Sequence, residues 1–314
     1  MQMRTAGNSG LMLSRLGLGT MTWGRDTDEH EAADQCRAFI DAGGNFLDTA
    51  NTYGDGDSEK VIAGLIGTFF NRDDVVIATK SGLSFVDGAR KVDASRQALI
   101  SELDKSLGRL GSDFVDIWQI HAWDPLTPLD ESLAALDYAY TSGRARYVGL
   151  SNYSGWQVAR AATKQQSNSM KAPITTVQSE YSLLNRDAEI EILDSAKECG
   201  IGFIAWAPLA RGVLTGKYRS GIPSDSRGAA PHFSRHIEPY LNARNERTVD
   251  AVCVAASGLG YSPLEVALAW VRDAPGVTSS IVGARTGAQM RGILKSEEIT
   301  LPDILRSALN DVSA

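Results

Sequence analysis

Residues 45–53 read Asn-Phe-Leu-Asp-Thr-Ala-Asn-Thr-Tyr, and this stretch decides how the rest of the chain is expected to fold. Its first three residues, 45–47, are short and apolar, as in a buried strand. The strand runs into the carboxyl group of Asp48, and the loop that follows bears the phenol of Tyr53. This order of strand, acid and phenol predicts a functional loop at one end of a sheet.

Two later apolar runs end on polar side chains in the same way. The run 75–79 leads into Lys80, and the run 114–120 leads into His121. Taken singly, an amine after a strand is usually a solvated loop residue, and an imidazole is more often structural. Successive strand ends of a parallel sheet share one edge, however, so the acid, phenol, amine and imidazole are expected to converge.

The pattern of a short apolar strand followed by an amphipathic helix repeats along the whole chain. A β-hairpin is expected over residues 1–14, where residues 7–10 have turn chemistry. Strands are expected at residues 16–19, 45–47, 75–79, 114–120, 147–150, 174–177, 202–206 and 279–282. Alternating strands and helices indicate an α/β fold with a parallel sheet. Eight such units favour a closed (β/α)8 barrel as a single domain over residues 1–314, rather than an open doubly wound sheet.

Composition and charge restrict the possible partners. The chain is 43% hydrophobic and 22% charged, as in an ordinary soluble globular protein. Its net charge of -7 argues against nucleic acid or an anionic membrane as a partner. The N-terminus lacks the apolar region of a signal peptide, and no stretch approaches the roughly 18 apolar residues of a membrane span. Three scattered cysteines without metal-ligand spacing fit a reducing compartment. A cytoplasmic protein without a bound metal is therefore expected.

Two segments carry further expectations. The first barrel strand contains Gly17 and Gly19 but no third glycine at Thr22, so the pyrophosphate turn of a Rossmann fold is not indicated. The two glycines are expected instead to allow close packing at that strand. Residues 207–242 show little periodicity and many Gly, Pro, Ser and Arg residues. A loop of this length is usually a functional lid or disordered.

The chain resembles the aldo-keto reductase family over essentially its whole length, in particular the bacterial branch that is also similar to potassium-channel β-subunits. The passages that carry the resemblance are residues 48–54, 79–80, 119–121, 121–128, 149–152, 177–181, 206–212 and 282–285. Several independent motifs in the same order are far more specific than any one of them.

The resemblance implies a (β/α)8 barrel closed at its bottom by an N-terminal hairpin, and the reversible, NADPH-dependent reduction of aldehydes or ketones. It implies that Tyr53 is the general acid, that Lys80 and Asp48 support it, and that His121 orients the carbonyl. A free phenol is a weak proton donor at neutral pH, since its pKa is about 10. The Lys80 ammonium is expected to lower the pKa of Tyr53, and Asp48 is expected to keep that ammonium charged and in place.

The resemblance also implies a cofactor site built from strand ends and two loops. Its expected members are Gly19, Thr20, Met21, Asp48, Ser151, Asn152, Gln178, Trp206, Ala207, Pro208, Leu209, Ala210, Arg211, Gly212, Lys217, Arg227, Gly283, Arg285, Thr286 and Gln289. Polar strand ends are expected to bind a carboxamide, Trp206 to stack on the nicotinamide, and residues 207–212 to follow the pyrophosphate. Basic residues on the cofactor-facing loops favour NADPH over NADH.

The chain departs from the family near the expected adenine site, and its substrate pocket is expected to be aromatic. The family often has an acid or Asn after the position of Gln289 that contacts adenine, whereas this chain has Gly292 and Ile293. The substrate pocket is expected to contain Trp23, Tyr53, His121 and Trp123. Such an aromatic mouth suits a moderately apolar or sugar-like carbonyl compound, without choosing among them or indicating an oligomeric state.

Two other classes of protein share parts of this pattern. A regulatory module similar to a channel β-subunit would bind NADPH, turn over slowly and retain the same four residues. A cofactor-free barrel isomerase or hydrolase would account for the barrel and a base at its strand ends. It would not account for Trp206 beside a basic loop.

Overall fold

A ring of eight parallel strands closes into a barrel, as the alternating pattern predicted. The computed structural model describes residues 1–224 and 226–314, without the side chains of Arg227, Pro231 and His232. The strands of the described part are β1 (Met3–Thr5), β2 (Met12–Ser14), β3 (Leu16–Gly19), β4 (Phe46–Asp48), β5 (Val76–Ser81), β6 (Leu83–Val86), β7 (Ala89–Val92), β8 (Val115–Ile120), β9 (Ala145–Ser151), β10 (Ile174–Glu180), β11 (Gly202–Trp206) and β12 (Val277–Val282).

Helices surround the barrel and connect its strands. They are α1 (Glu29–Asp41), α2 (Asp57–Leu65), α3 (Arg96–Leu110), α4 (Leu129–Thr141), α5 (Gly155–Gln166), α6 (Ile192–Glu198), α7 (Pro231–Ile237), α8 (Ala243–Leu259), α9 (Pro263–Arg272), α10 (Gly287–Leu294) and α11 (Asp303–Ser313). The barrel order is β3, β4, β5, β8, β9, β10, β11 and β12, and β12 pairs back onto β3. The fold is therefore the predicted (β/α)8 barrel, and each strand delivers its carboxyl end to the same rim.

The antiparallel hairpin of β1 and β2 closes the opposite end of the barrel, as predicted. Leu11 and Leu13 of the hairpin pack in one cluster with Phe46, which begins β4, and with inward residues of four other barrel strands. Burying these apolar side chains removes the end of the barrel from water and stabilises its closure. The rim that carries the strands' carboxyl ends is left free for chemistry.

Close packing at β3 depends on its glycines, as the sequence indicated. A Cβ placed on Gly17 would lie 2.6 Å from the Ile281 side chain and 2.7 Å from that of Phe46, and one on Gly19 would lie 2.6 Å from Ile281. Such distances are too short for real side chains, so the Ile281 and Phe46 side chains can lie against β3 only because it lacks Cβ atoms there. Ala substitution at either position would force these side chains to shift.

One expectation about local structure needs correction, and one element was not predicted. Residues 207–242 are not one irregular loop, because they contain α7 and several 3₁₀ turns. The hairpin of β6 and β7 was not foreseen, because its strands are short, charged and lie outside the barrel. Residues with exposed side chains give little periodic signal for sequence interpretation.

Candidate active site

A buried ion pair forms the base of the site. Asp48 is the last residue of β4 and Lys80 lies on the adjacent strand β5. The Lys80 ammonium donates to Asp48 Oδ2 at 2.7 Å and to the carbonyl oxygen of Thr49 at 2.8 Å. Burial alone would lower the pKa of Lys80, but the charges and hydrogen bonds of Asp48 and Tyr53 raise it above its usual value. Lys80 is therefore a charged ammonium held without contact with water.

Tyr53 lies directly above this pair. It begins a tight turn, Tyr53–Gly56, and the Lys80 ammonium lies 5.2 Å from the centre of its ring. Burial raises the pKa of Tyr53 more than Lys80 and the Arg211 guanidinium lower it, so its pKa lies above the ordinary value. This corrects the expectation that the amine lowers the pKa overall, because desolvation of the phenolate is the larger effect. At neutral pH the phenol keeps its proton and is available as a donor.

His121 faces Tyr53 across the site. It follows β8 directly, and its ring meets the Tyr53 ring edge-on, with centres 6.3 Å apart. Burial lowers the pKa of His121 well below its usual value, and the charges of Lys80 and Arg90 lower it further. The imidazole is therefore neutral at pH 7. Its buried Nδ1 has no hydrogen-bond partner among the described residues. Buried polar atoms are usually hydrogen-bonded, so this unpaired ring nitrogen is available to a polar group of a ligand.

Ser151, Asn152 and Gln178, which are predicted to bind a carboxamide, lie at neighbouring strand ends. Two of them are hydrogen-bonded to Asp48 and to the backbone of His121. Gln178 Nε2 donates to Asp48 Oδ1 at 2.8 Å, which completes the contacts of that carboxylate. Asn152 has a left-handed backbone with φ of 57°. Its amide nitrogen donates to the His121 carbonyl oxygen at 2.9 Å, and its amide oxygen accepts from Trp206 Nε1 at 3.1 Å. Asn152 thus links the backbone of His121 to the indole of Trp206. The buried Ser151 lies beside Asn152.

The segment after Trp206 has an unusual backbone. Ala207, Ala210 and Arg211 all have positive φ, between 45° and 57°, and Gly212 has φ of 95°. Positive φ is strained for residues other than glycine, and such strain collects at ligand-binding segments. The Lys217 ammonium lies 3.2 Å from where a Cβ on Gly212 would be. A cation therefore approaches a tightly turned backbone beside the indole.

The other expected cofactor residues occupy two further loops. Thr20 is fully buried, with its hydroxyl in contact with Ser58 Oγ at 2.7 Å, while Gly19 and Met21 are partly exposed beside it. Pro208 is buried and Leu209 partly buried in the strained segment, and Gly283 is exposed beyond β12. The Arg227 side chain lies outside the described residues.

The loop after β12 leads into the first turn of α10. Thr286 caps α10 by accepting from the Gln289 amide at 3.2 Å, and Gln289 Oε1 accepts from the Arg285 amide at 2.9 Å. Gly292 adds no side chain, and Ile293 is buried in the core. The positions at which the family often contacts adenine therefore offer no polar group.

The aromatic mouth differs from the expectation. Trp23 is fully buried and its indole donates to Gln35 Oε1 at 3.0 Å, so it supports the core and does not line an open pocket. Trp123 is partly buried near the rim, in edge contact with Tyr153 and with the exposed Trp156. Trp156 was not predicted as a pocket residue from the sequence. Trp123 and Trp156 thus form an aromatic cluster with Tyr153, and Trp23 is not part of it.

Sequence reasoning also missed a contact between the barrel rim and the segment 207–242. Tyr240 donates a short hydrogen bond to Glu180, the last residue of β10, which pairs in register with Trp206. Burial raises the pKa of Glu180 to about 7; the charge of Arg211 lowers it and that of Asp187 raises it. No sequence motif brings residues so far apart together, so only the fold could show this contact.

Glu180 makes the stability of the protein depend on pH. A carboxyl whose pKa rises from 4.5 to about 7 on folding contributes stability that is fully present below the lower value and lost as pH rises through the upper one. We therefore expect the apparent Tm of the wild type, measured against Glu180→Gln, to fall by roughly 2–4 °C between about pH 5 and about pH 8. A difference that stays constant over this range would contradict the assignment.

Within residues 1–224 and 226–314, no three or more His, Cys, Asp or Glu side chains are grouped as metal ligands would be. In this part of the chain no single helix has the length and apolar character to cross a membrane, and only the sharply bent pair α8 and α9 reaches that threshold jointly.

Comparison with known proteins agrees with this geometry. The pattern of the Aldo/keto reductase family matches residues 15–312. An uncharacterized oxidoreductase, YrpG of Bacillus subtilis, is 35% identical over 98% of this chain and 94% of its own. The L-glyceraldehyde 3-phosphate reductase of Escherichia coli K12 is 36% identical, over 92% of this chain and 86% of its own. A probable voltage-gated potassium channel subunit beta of Oryza sativa is 35% identical, over 95% and 92%. This chain belongs to the aldo-keto reductase family, as its motifs indicated.

Proposed function

We propose that this protein reduces aldehydes or ketones to alcohols with NADPH, with Tyr53 as the proton donor. The observation that supports this most is the buried Lys80–Asp48 pair beneath a protonated phenol, with a neutral imidazole opposite. The test is oxidation of NADPH by the purified protein with a panel of simple aldehydes and ketones. Robust turnover, with one alcohol formed for each NADPH oxidised, supports the proposal. A lack of turnover with every member of the panel would contradict it.

Each residue has one task in this reaction. Tyr53 gives its proton to the carbonyl oxygen as negative charge develops there, and the Lys80 ammonium stabilises the phenolate that remains. Asp48 keeps Lys80 charged and fixed, through the 2.7 Å contact. The neutral His121 donates a second hydrogen bond to the same oxygen, which requires its proton to lie on the nitrogen that faces the substrate. When bound, a reduced nicotinamide would supply the hydride.

The residues after β11 fit a dinucleotide. Trp206 is half-buried and held by Asn152 through its ring nitrogen, so one face of the indole is available for stacking. Ala207 and residues 210–212 have a left-handed backbone, a feature that also occurs in anion-binding nests. Lys217 and Arg211 add positive charge beside that backbone. These features support a pyrophosphate site, with the nicotinamide next to Tyr53.

NADPH rather than NADH is the proposed cofactor, and Arg285 offers a test. Its guanidinium lies on the loop between β12 and α10, where the 2′-phosphate is expected. A charged hydrogen bond to phosphate is typically worth about 1.5–3 kcal/mol, so Arg285→Met should raise the Kd of NADPH roughly 10- to 100-fold. The Kd of NADH, measured by the same quenching of protein fluorescence, should change little. An equal loss for both cofactors, or an unaltered Kd of NADPH, would remove Arg285 from this role.

The substrate is proposed as a small carbonyl compound with an apolar or sugar-like body. Trp123 and Trp156 offer aromatic surface at the rim, against which such a body could pack. One relative reduces L-glyceraldehyde 3-phosphate according to its name, which makes phosphorylated aldehydes a useful part of the screen. Comparison of kcat/KM across apolar, sugar-like and phosphorylated aldehydes would rank these classes.

A regulatory module is the second candidate, because relatives from rice and from Arabidopsis thaliana are named as probable potassium channel subunits. Such a protein would also bind NADPH but would turn over slowly. Strong NADPH binding with very slow reduction of all carbonyls tested would favour this reading. A cofactor-free isomerase or hydrolase would instead show no fluorescence quenching on addition of NADPH.

A further inference from the structure

The loop that carries Tyr53 has a strained backbone directly after the phenol. Gly54, Asp55 and Gly56 follow the phenol, and all three have positive φ, of 57°, 53° and 96°. Three successive left-handed residues make a sharp reversal, which is strained at Asp55 because it has a side chain. Such a conformation persists only where its surroundings fix it. Backbone hydrogen bonds contribute, among them that from Asn51 N to the Lys80 carbonyl oxygen, and side-chain contacts come from α2 and from the outer helix α3.

Glu59 is the first of these contacts. It lies in the first turn of α2, is fully buried, and was not singled out from the sequence. Its Oε1 accepts from the hydroxyl of Thr79 at 2.6 Å, and its Oε2 accepts from Arg109 Nε at 2.6 Å. Thr79 is the neighbour of Lys80 on β5. One carboxylate therefore ties the helix after Tyr53 to the strand that carries the ammonium.

Arg109 also supports the loop directly. A Cβ placed on Gly56 would lie 2.6 Å from both Cδ and Nε of Arg109, so the guanidinium packs against bare backbone. Only glycine permits this approach at a φ of 96°. The Arg109 side chain is 22% exposed, whereas Glu59 is not exposed at all. An unpaired carboxylate at such a depth would be costly, so the two charges are kept together.

A second residue of α3 holds the other side of Tyr53. Glu102 Oε2 accepts from Asn51 Nδ2 at 2.9 Å and from the amide of Gly82 at 2.6 Å. Glu102 and Arg109 are seven residues apart, which places them two turns apart on one face of the helix. Asn51 precedes the phenol and Gly56 follows it. The same face of α3 therefore contacts the loop on both sides of Tyr53.

We propose that Glu59 and Arg109, together with Glu102, are positioning residues that fix the Tyr53 phenol against Lys80. This inference rests on the proposed reduction, and it adds an outer network to the four residues at the rim. None of these side chains contacts the reacting atoms. Their effect passes through the loop, since a displacement of about 1 Å in a reacting group can lower the rate about 100-fold.

The test uses a pair of substitutions that removes both charges together. The double variant Glu59→Gln/Arg109→Met leaves no buried charge without a partner, so it is expected to fold with an apparent Tm near that of the wild type. Its kcat for carbonyl reduction should fall roughly 10- to 100-fold, while the KM of the carbonyl and the Kd of NADPH stay within about threefold. A residue with a purely structural role would lower Tm and leave kcat unchanged.

A matched control lies on the same helix. Asp104 of α3 pairs with Arg144 at 3.0 Å, and both side chains face solvent. The double variant Asp104→Asn/Arg144→Met also removes one ion pair from α3 but does not reach the Tyr53 loop. Its kcat should match the wild type. If the Glu59→Gln/Arg109→Met variant fails to fold, Glu102→Gln carries the test and should lower kcat severalfold without altering the Kd of NADPH.

A second readout does not depend on turnover. Tyrosines labelled with a carbon isotope at the phenolic carbon give a resonance for Tyr53, which Tyr53→Phe identifies. We expect this resonance to shift in Glu59→Gln/Arg109→Met and not in Asp104→Asn/Arg144→Met. A folded Glu59→Gln/Arg109→Met variant with unchanged kcat and an unmoved resonance would overturn the positioning role. A wild type that binds NADPH but reduces no carbonyl would instead overturn the proposed function, and the resonance would still decide the positioning role.

Discussion

Tyr53→Phe is expected to abolish carbonyl reduction, with kcat lowered about 10²- to 10⁴-fold, because the substitution removes the proton that meets the developing alkoxide. The ring itself remains, so packing against His121 and the approach of Lys80 are preserved. The Kd of NADPH should therefore stay nearly unchanged. The measurement is kcat by loss of NADPH absorbance, with Kd from fluorescence quenching on the same preparation.

Tyr140→Phe is the matched control for this substitution. Tyr140 lies on α4 and is 41% exposed, so loss of its hydroxyl should leave kcat and Tm at wild-type values. Near-wild-type turnover in Tyr53→Phe would mean that another group, or water, delivers the proton. Equal losses in both variants would point to a general effect on the fold.

Lys80→Met is expected to have the second largest effect, on stability as well as on rate. It leaves the Asp48 carboxylate buried with Gln178 as its main remaining donor. Breaking a buried pair in this way typically costs about 3–5 kcal/mol. The phenolate would also lose the ammonium that stabilises it, so kcat should fall by at least about 100-fold. Chemical denaturation and steady-state kinetics on the same protein measure the two effects.

Asp48→Asn/Lys80→Met separates these two losses. With both charges removed, much of the lost stability should return, because replacing a buried pair by neutral groups is often tolerated. The rate should not return, since the proton donor still lacks its cation. Recovery of kcat together with stability would show that Lys80 only maintains the fold, and the account of Tyr53 activation would then be wrong.

The barrel and its rim were largely predictable from the sequence because both follow from local patterns. The apolar run before Asp48, and those before Lys80 and His121, gave the strand ends, and parallel pairing then required them to share one rim. The observed strands run further than the apolar runs alone suggested. β5, for example, includes Lys80 and Ser81, because ladder pairing continues past the apolar side chains.

What could not be predicted depends on contacts between distant residues or on a balance of large effects. The pKa of Tyr53 is one case: the amine was foreseen, but the greater effect of burial was not. The hydrogen bond from Trp206 to Asn152 and that from Tyr240 to Glu180 join separate strands and loops. Trp23 resembled a pocket residue by position, yet its indole is fully buried beside Gln35.

Single-turnover reduction tests the central claim most directly. Wild-type protein loaded with one equivalent of NADPH is mixed with an excess of a reactive aldehyde, and the near-ultraviolet absorbance of the reduced nicotinamide is followed. We predict its complete loss, with one alcohol formed per cofactor, and a rate lowered about 10²- to 10⁴-fold in Tyr53→Phe. Bound NADPH whose absorbance persists in the wild type, or equal rates in the two proteins, would contradict the account.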